Sequence, residues 1–190
     1  MIEVLCNVLG EKVSWRVTSS AVEDVVRLGF STGGFRSFAA GYSYYEQKNY
    51  RQALVHLKAA LERKGSSPAE LADLQFFTAF CDSSLAESQT DKTPLNEAID
   101  LYENAGKIYE GRRDETAWAR TQNNLAIAYS GLSTGDRIAN VQKAIEIFQG
   151  VLRVITEKDF PVDWAKTQYN LGVAYRDLRT GITRQTRKSQ

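Results

Sequence analysis

The sequence predicts an all-α chain: an α-solenoid of antiparallel helix pairs with a small N-terminal appendage. Three observations carry that expectation. First, the stretch WARTQNNLAIAY from Trp118 to Tyr129 returns 46 residues later as WAKTQYNLGVAY from Trp164 to Tyr175, identical at eight of twelve positions. Self-similarity at a fixed period of this size marks an array in which each unit buries its apolar face against its neighbours. Second, the large apolar residues of both copies fall at steps of three, four and seven (Trp118, Leu125, Tyr129, Leu132 and Trp164, Leu171, Tyr175, Leu178), which is one stripe of a helix. Third, the helices that follow also recur at the same offset, because Ala98, Ile99 and Tyr102 reappear as Ala144, Ile145 and Phe148.

Taken in order, residues 1–33 form the appendage. Ile2, Val4, Cys6 and Val8 alternate with Glu3, Leu5 and Asn7, and Val13, Trp15 and Val17 with Ser14, Arg16 and Thr18, around Leu9-Gly10-Glu11-Lys12. The alternation fits a short β-hairpin, which needs something to pack on, and a frayed helix over 2–9 fits nearly as well. Ser20, with Glu23 three residues on, reads as a capping box opening a helix to Phe30. Ser31-Thr32-Gly33-Gly34 ends it as a turn, since no Gly-Lys-Ser/Thr follows to make a phosphate loop.

The repeat domain spans 34–180. Ala40, Gly41 and Tyr44 lie on a first helix, and Tyr50, Ala53, Leu57 and Ala60 on a second. Small residues let the two approach closely, and Asn49 is placed to cap the second after the turn Gln47-Lys48-Asn49. Gly65-Ser66-Ser67-Pro68 links to a helix ending near Ala86, with proline in its first turn. A polar loop leads to Pro94–Tyr109, then come Thr116–Leu132, Ala139–Thr156 and Val162–Leu178. Residues 181–190 read as a polar, basic tail. Trp118 and Trp164 are expected in the seams between units.

Composition narrows the function. With 24 basic against 23 acidic side chains the net charge is +1, which gives no overall electrostatic case for nucleic acid or an anionic membrane. Two cysteines, Cys6 and Cys81, are too few and too separated for a disulfide scaffold or a zinc site, and they read as buried thiols of a reducing compartment. The opening MIEVLCNVL lacks a basic leader, and no apolar run reaches the ~18 residues that cross a bilayer, so the expected location is the cytoplasm. The one histidine, His56, sits mid-helix and far in sequence from either cysteine, and no His/Cys cluster offers a metal site. Neither catalytic residues nor a cofactor are expected.

The helix pairs resemble the tetratricopeptide repeat family. The resemblance rests on Ala40, Gly41, Tyr44, Ala53, Leu57 and Ala60 in a first unit, and on Leu125, Ala126, Tyr129, Ala144, Phe148 and Val151 in a third. Leu171, Gly172 and Tyr175 make a fourth half-unit, so the likeness covers about 35–180. In the second unit Ala79 takes the small position, but Asp82 stands where the family has tyrosine. The later units are stretched, and with Trp-Ala-x-Thr-Gln on the first helix they are similar to those of bacterial, especially cyanobacterial, proteins whose repeats precede a caspase-like CHAT domain.

That resemblance implies a superhelix and a non-enzymatic protein–protein interaction module, whose first helices line a concave groove holding a peptide or partner protein. Carried over by position, the groove residues are Phe35, Phe38, Tyr42 and Tyr45, then Phe76, Phe77 and Phe80, then Arg120, Asn123, Asn124 and Ile127, and finally Lys166, Tyr169, Asn170 and Val173. Asn124 and Asn170 offer a donor and an acceptor to a peptide backbone, while Arg120 and Lys166 suit a carboxylate. An aromatic half beside a cationic, amide-bearing half implies a ligand with apolar anchors and an acidic stretch. Tyr175 and Leu178 on the last helix look written for an internal unit, so either the sequence is a fragment of a longer array or this face docks on another copy or a partner, and a homo-oligomer built through that helix is the alternative reading. A regulator of a separately encoded CHAT-type protease is the third reading the resemblance allows.

Overall fold

The computed structural model describes residues 2–8, 11–17, 32–63, 65–87, 93–132 and 134–188. Two strands, β1 (Ile2–Val8) and β2 (Glu11–Val17), pair antiparallel, with Ile2 opposite Val17, Val4 opposite Trp15 and Cys6 opposite Val13. The expected helix from Ser20 to Phe30 lies outside the described residues. Among the described residues seven helices then follow: α1 (Thr32–Glu46), α2 (Tyr50–Leu61), α3 (Pro68–Glu87), α4 (Thr93–Gly111), α5 (Glu115–Gly131), α6 (Arg137–Val154) and α7 (Pro161–Lys188). Each helix packs on the next along the chain, and α1 with α3, α3 with α5, and α5 with α7 also touch. Both strands come against α1.

Local chemistry sets most of these boundaries. Asn49, Asp114 and Asp136 cap α2, α5 and α6, their side chains accepting from Gln52 N, from Ala117 N, and from both Ile138 N and Ala139 N. Ser67 and Glu70 form a capping box at the start of α3: the Ser67 amide donates to Glu70 Oε2 (2.6 Å) and the Glu70 amide to Ser67 Oγ (3.3 Å). The ends of α1 and α4 share one turn. Lys48 (φ 58°) and Arg113 (φ 57°) are left-handed. Around them the Asn49 and Asp114 amides reach back to the Tyr44 and Tyr109 carbonyls.

Helix α7 departs from the sequence expectation. It continues ten residues past Leu178, through the segment that reads as a polar tail, to Lys188. Thr180 and Thr183 bond back to the Arg176 and Arg179 carbonyls, and an added Cβ at Gly181 would lie 3.5 Å from Ile138, so the extension still rests on α6. Just before the extension, Arg137 of α6 donates to the Ser130 carbonyl and lies 3.8 Å from Asp177 of α7.

The core is a chain of interfaces between neighbouring helices. Leu57, Leu74, Tyr102 and Phe148 are buried to within 1 %. Each such side chain contributes roughly 1.5–3 kcal/mol on leaving water. Gly41 allows the closest approach, because a Cβ there would lie 2.6 Å from Leu57 Cγ. The 46-residue repeat extends to hydrogen bonding: the Tyr129 hydroxyl of α5 donates to Glu103 of α4 (2.8 Å), and the Tyr175 hydroxyl of α7 accepts from Gln149 of α6 (2.8 Å). Trp118 and Trp164 sit at one seam with Val151, Ile155 and Phe160, but each is only half-buried.

Candidate functional site

Four helices bring one cavity together. Tyr45 from the last turn of α1, and Phe76 and Phe80 one turn apart on α3, form its aromatic wall. Arg120, Asn123 and Asn124 on α5 and Lys166 on α7 form the polar wall, with Asp163, Thr167 and Ile155 at the edge. Helical spacing explains the convergence, since residues three and four apart share a face. The cavity measures about 230 Å³. Seven of the residues that sequence reasoning placed in a groove thus meet at one place, although they come from units up to 121 positions apart in the chain.

The aromatic wall is a packed assembly. Tyr45 stands edge-on to Phe77 (5.0 Å between centroids) and to Phe80 (5.3 Å), and Phe76 edge-on to Phe77 (5.2 Å). Such arrangements set the positive rim of one ring against the negative face of the next. The Arg120 guanidinium lies 4.5 Å from the centre of the Phe76 ring, a cation–π contact that holds the charge over the cavity. Its field reaches further: burial pushes the Tyr45 hydroxyl up from its usual pKa, and Arg120 opposes that push. Burial likewise raises Asp73, against the pull of its bond from the Tyr109 hydroxyl (2.5 Å) and of Arg120.

Across the polar wall, Asn170 Nδ2 donates to Asn123 Oδ1 (3.4 Å), so these two amides tie α7 to α5. Lys166 stands 3.9 Å from Asp163, and both side chains are mostly exposed, so the pair is loose and the ammonium remains available. The site can therefore offer an apolar slot, a fixed guanidinium, a mobile ammonium and amide groups at one opening.

Several expected lining residues do not reach the opening. Phe38 is fully buried (0 %), stacked on Tyr42 and edge-on to Phe77, so it is core and offers no surface to a ligand. Phe77 does not line the cavity but is the hub of the ring assembly, and Phe76, which does line it, is itself only 2 % exposed beneath the Arg120 guanidinium. Tyr42 is half-buried behind Tyr45. Ile127, Asn170 and Val173 do not line the cavity, nor does Tyr169, which is 73 % exposed on the outer side of α7. The side chain of Phe35 lies outside the described residues. In exchange the cavity gains Asp163, three residues before Lys166, and Thr167, four after Asp163, a helical spacing readable in the sequence but not read there.

Other reactive groups are sequestered. Cys81 is fully buried, and desolvation pushes its thiol up to about 12, so it stays protonated at neutral pH. His56 is buried and stacks on Tyr44 at 5.5 Å. Asp82 is buried on α3 with Lys58 Nζ at 3.4 Å, and that ammonium also bonds Glu97 (3.1 Å). Desolvation lifts Asp82 to about 6, partly offset by Lys58. Among the described residues no group of three or more His, Cys, Asp or Glu side chains could hold a metal ion, and no helix is long and apolar enough to cross a membrane. The chain matches no protein-family model and no curated protein.

Proposed function

We propose that this chain is a non-enzymatic protein–protein interaction module, built as a solenoid of tetratricopeptide-like helix pairs, that captures a peptide segment across the α1/α3/α5/α7 cavity. The supporting observation is the meeting of Tyr45, Phe76 and Phe80 with Arg120, Asn124 and Lys166 around one opening. An apolar side chain of the ligand enters the aromatic slot, and a nearby carboxylate meets Arg120 and Lys166. The amide of Asn124 holds the ligand backbone. A side chain of Phe or Leu size matches a slot of about 230 Å³, and the two cations select acidic neighbours.

A peptide array varying apolar anchors and acidic flanks tests the reading. The wild-type chain should prefer peptides with an aromatic or leucine beside Asp or Glu, with binding that weakens as salt rises. The Arg120→Ala/Asn124→Ala/Lys166→Ala variant should lose at least tenfold in affinity while keeping its melting temperature. Equal binding by the two proteins would sink the proposal.

A further inference from the structure

The Arg120 guanidinium is held by a ring and not by an acid. It lies 4.5 Å from the centre of the Phe76 ring at the cavity wall, and among the described residues it forms no ion pair. A guanidinium offers a planar fork of N–H donors that matches a carboxylate, so this one stands ready to receive one.

An acid nevertheless lies behind the wall. Asp73 precedes Phe76 by three residues on α3, which puts both on one face of the helix, and it is buried without lining the cavity. The buried Tyr109 hydroxyl of α4 donates to Asp73 Oδ1 (2.5 Å) and fixes the carboxyl there. The groups acting on Asp73 come from α4, from the turn after it and from α5. Burial, the largest influence, raises its pKa, while the Tyr109 hydrogen bond, then Arg120 and then Arg112 oppose the rise, and Asp114 adds to it. The fold thus sets a half-satisfied carboxylate within the field of the same guanidinium that a ligand would use.

We infer that Asp73 sets how strongly the cavity draws a carboxylate, because it and the ligand's acid compete for the field of the Arg120 guanidinium. The inference rests on the peptide-binding reading above and adds to it a positioning residue that acts through Arg120. A carboxylate seated on Arg120 cancels the charge that favours ionised Asp73 and brings a second negative charge near it. Asp73 then keeps its proton to a higher pH in the complex than in the free chain, so binding draws part of a proton from solvent. By linkage the affinity for an acidic ligand falls as pH rises through that interval, which lies above the ordinary value of 3.8. The ligand's own carboxylates ionise above about 4 to 4.5, so the fall is read from pH 5 upward.

The probes are the capped peptide Gly-Asp-Phe-Asp-Gly and its neutral twin Gly-Asn-Phe-Asn-Gly. Each is titrated into the full chain by calorimetry from pH 5 to 7.5, in buffers of different ionisation enthalpy. Wild type should bind the acidic probe with net proton uptake and lose affinity as pH rises. Asp73→Asn keeps the shape and an acceptor for Tyr109. It should bind the acidic probe at least about threefold more tightly at pH 7.5, without proton uptake, and the neutral probe as wild type does. Tyr109→Phe removes the bond that favours ionised Asp73, so it should move the fall in affinity to higher pH. Asp82→Asn, at the other buried acid of α3, which faces Lys58 of α2, should leave the profile unchanged. On an Arg120→Ala background, Asp73→Asn should change the affinity for the acidic probe less than about twofold. Equal affinity and equal proton uptake in wild type and Asp73→Asn overturn the inference and leave the peptide-binding reading standing. An equal change for both probes overturns it too, since that is the mark of a purely structural role. Failure of wild type to prefer the acidic probe over its neutral twin overturns both readings together.

Discussion

Replacing Asp82 by asparagine should stabilise the chain at neutral pH. The carboxyl is 2 % exposed, and Lys58 is its one counter-charge, at 3.4 Å, an ammonium that also bonds Glu97. Among the described residues Oδ2 has no well-formed hydrogen bond beyond that long contact to the ammonium. Burial lifts the folded-state pKa from 3.8 to about 6 despite the lysine, so the fold prefers the protonated acid. A raised carboxylate pKa means that this group favours the fold most below the unfolded value of 3.8 and progressively less as pH rises to about 6, with a flat region above 7. A shift of roughly two units at ~1.4 kcal/mol each makes ionised Asp82 a penalty on the order of 3 kcal/mol. Asp82→Asn removes the penalty and keeps the shape. Urea unfolding at pH 4, 5, 6 and 7.5 should show wild type losing stability across that range, with Asp82→Asn losing much less and leading by roughly 2–3 kcal/mol at pH 7.5. Glu97→Gln should move the wild-type inflection to lower pH, since the Glu97 charge pushes Asp82 upward. Parallel profiles for wild type and Asp82→Asn, or a variant less stable at pH 7.5, would refute the reasoning.

Three further outcomes are open to direct measurement. Gly41→Ala should cost about 1–3 kcal/mol, read by thermal unfolding, because its methyl would drive into Leu57 of α2. Arg113→Gly should gain up to about 1 kcal/mol by relieving a left-handed non-glycine residue, with a smaller effect if the Arg113 stem packs over Trp118 in the depression they share; a loss would show that packing dominates. Trp118→Ala and Trp164→Ala should each cost about 1.5–2.5 kcal/mol in urea, roughly half the value for a fully buried ring, since both are half-buried at the Val151/Ile155 seam.

The repeat made the helices legible and the caps made their starts legible. Asn49 caps α2 as the sequence implies. The start of α6 falls two residues before the expected Ala139, because Asp136, which reads as a loop residue, takes the Ile138 and Ala139 amides. The end of α7 was hidden by its own composition. Past Leu178 the contact with α6 runs through Gly181, two threonines bond back to the helix itself, and Ile182 is the one large apolar residue, so the segment reads as a tail. Within the site, helical spacing placed Arg120, Asn124 and Lys166 on one side of their helices, and the structure brings them to one opening. It could not separate Phe38 from Tyr45. Both lie on α1, and which ring is sealed depends on where α3 crosses, a property of the packed pair rather than of either helix.

What the 46-residue repeat copies is register, and the chemistry on that register is free to differ. Glu103 and Gln149 occupy equivalent places, and each bonds the tyrosine of the next helix, but Glu103 accepts from Tyr129 whereas Gln149 donates to Tyr175, and burial together with Glu103 pushes Tyr129 up to about 12. Ala126 and Gly172 occupy equivalent places too, and one is sealed under α6 while the other lies open. Arg120 and Lys166 do face one cavity, but the first is pinned over Phe76 and the second is held only loosely by Asp163. A near-duplicate helix therefore predicts where side chains point and not what meets them. The duplicated stretch that opened the fold to sequence reasoning gives α5 an inner role and leaves α7 an outer one, and the difference comes wholly from which neighbours each helix has.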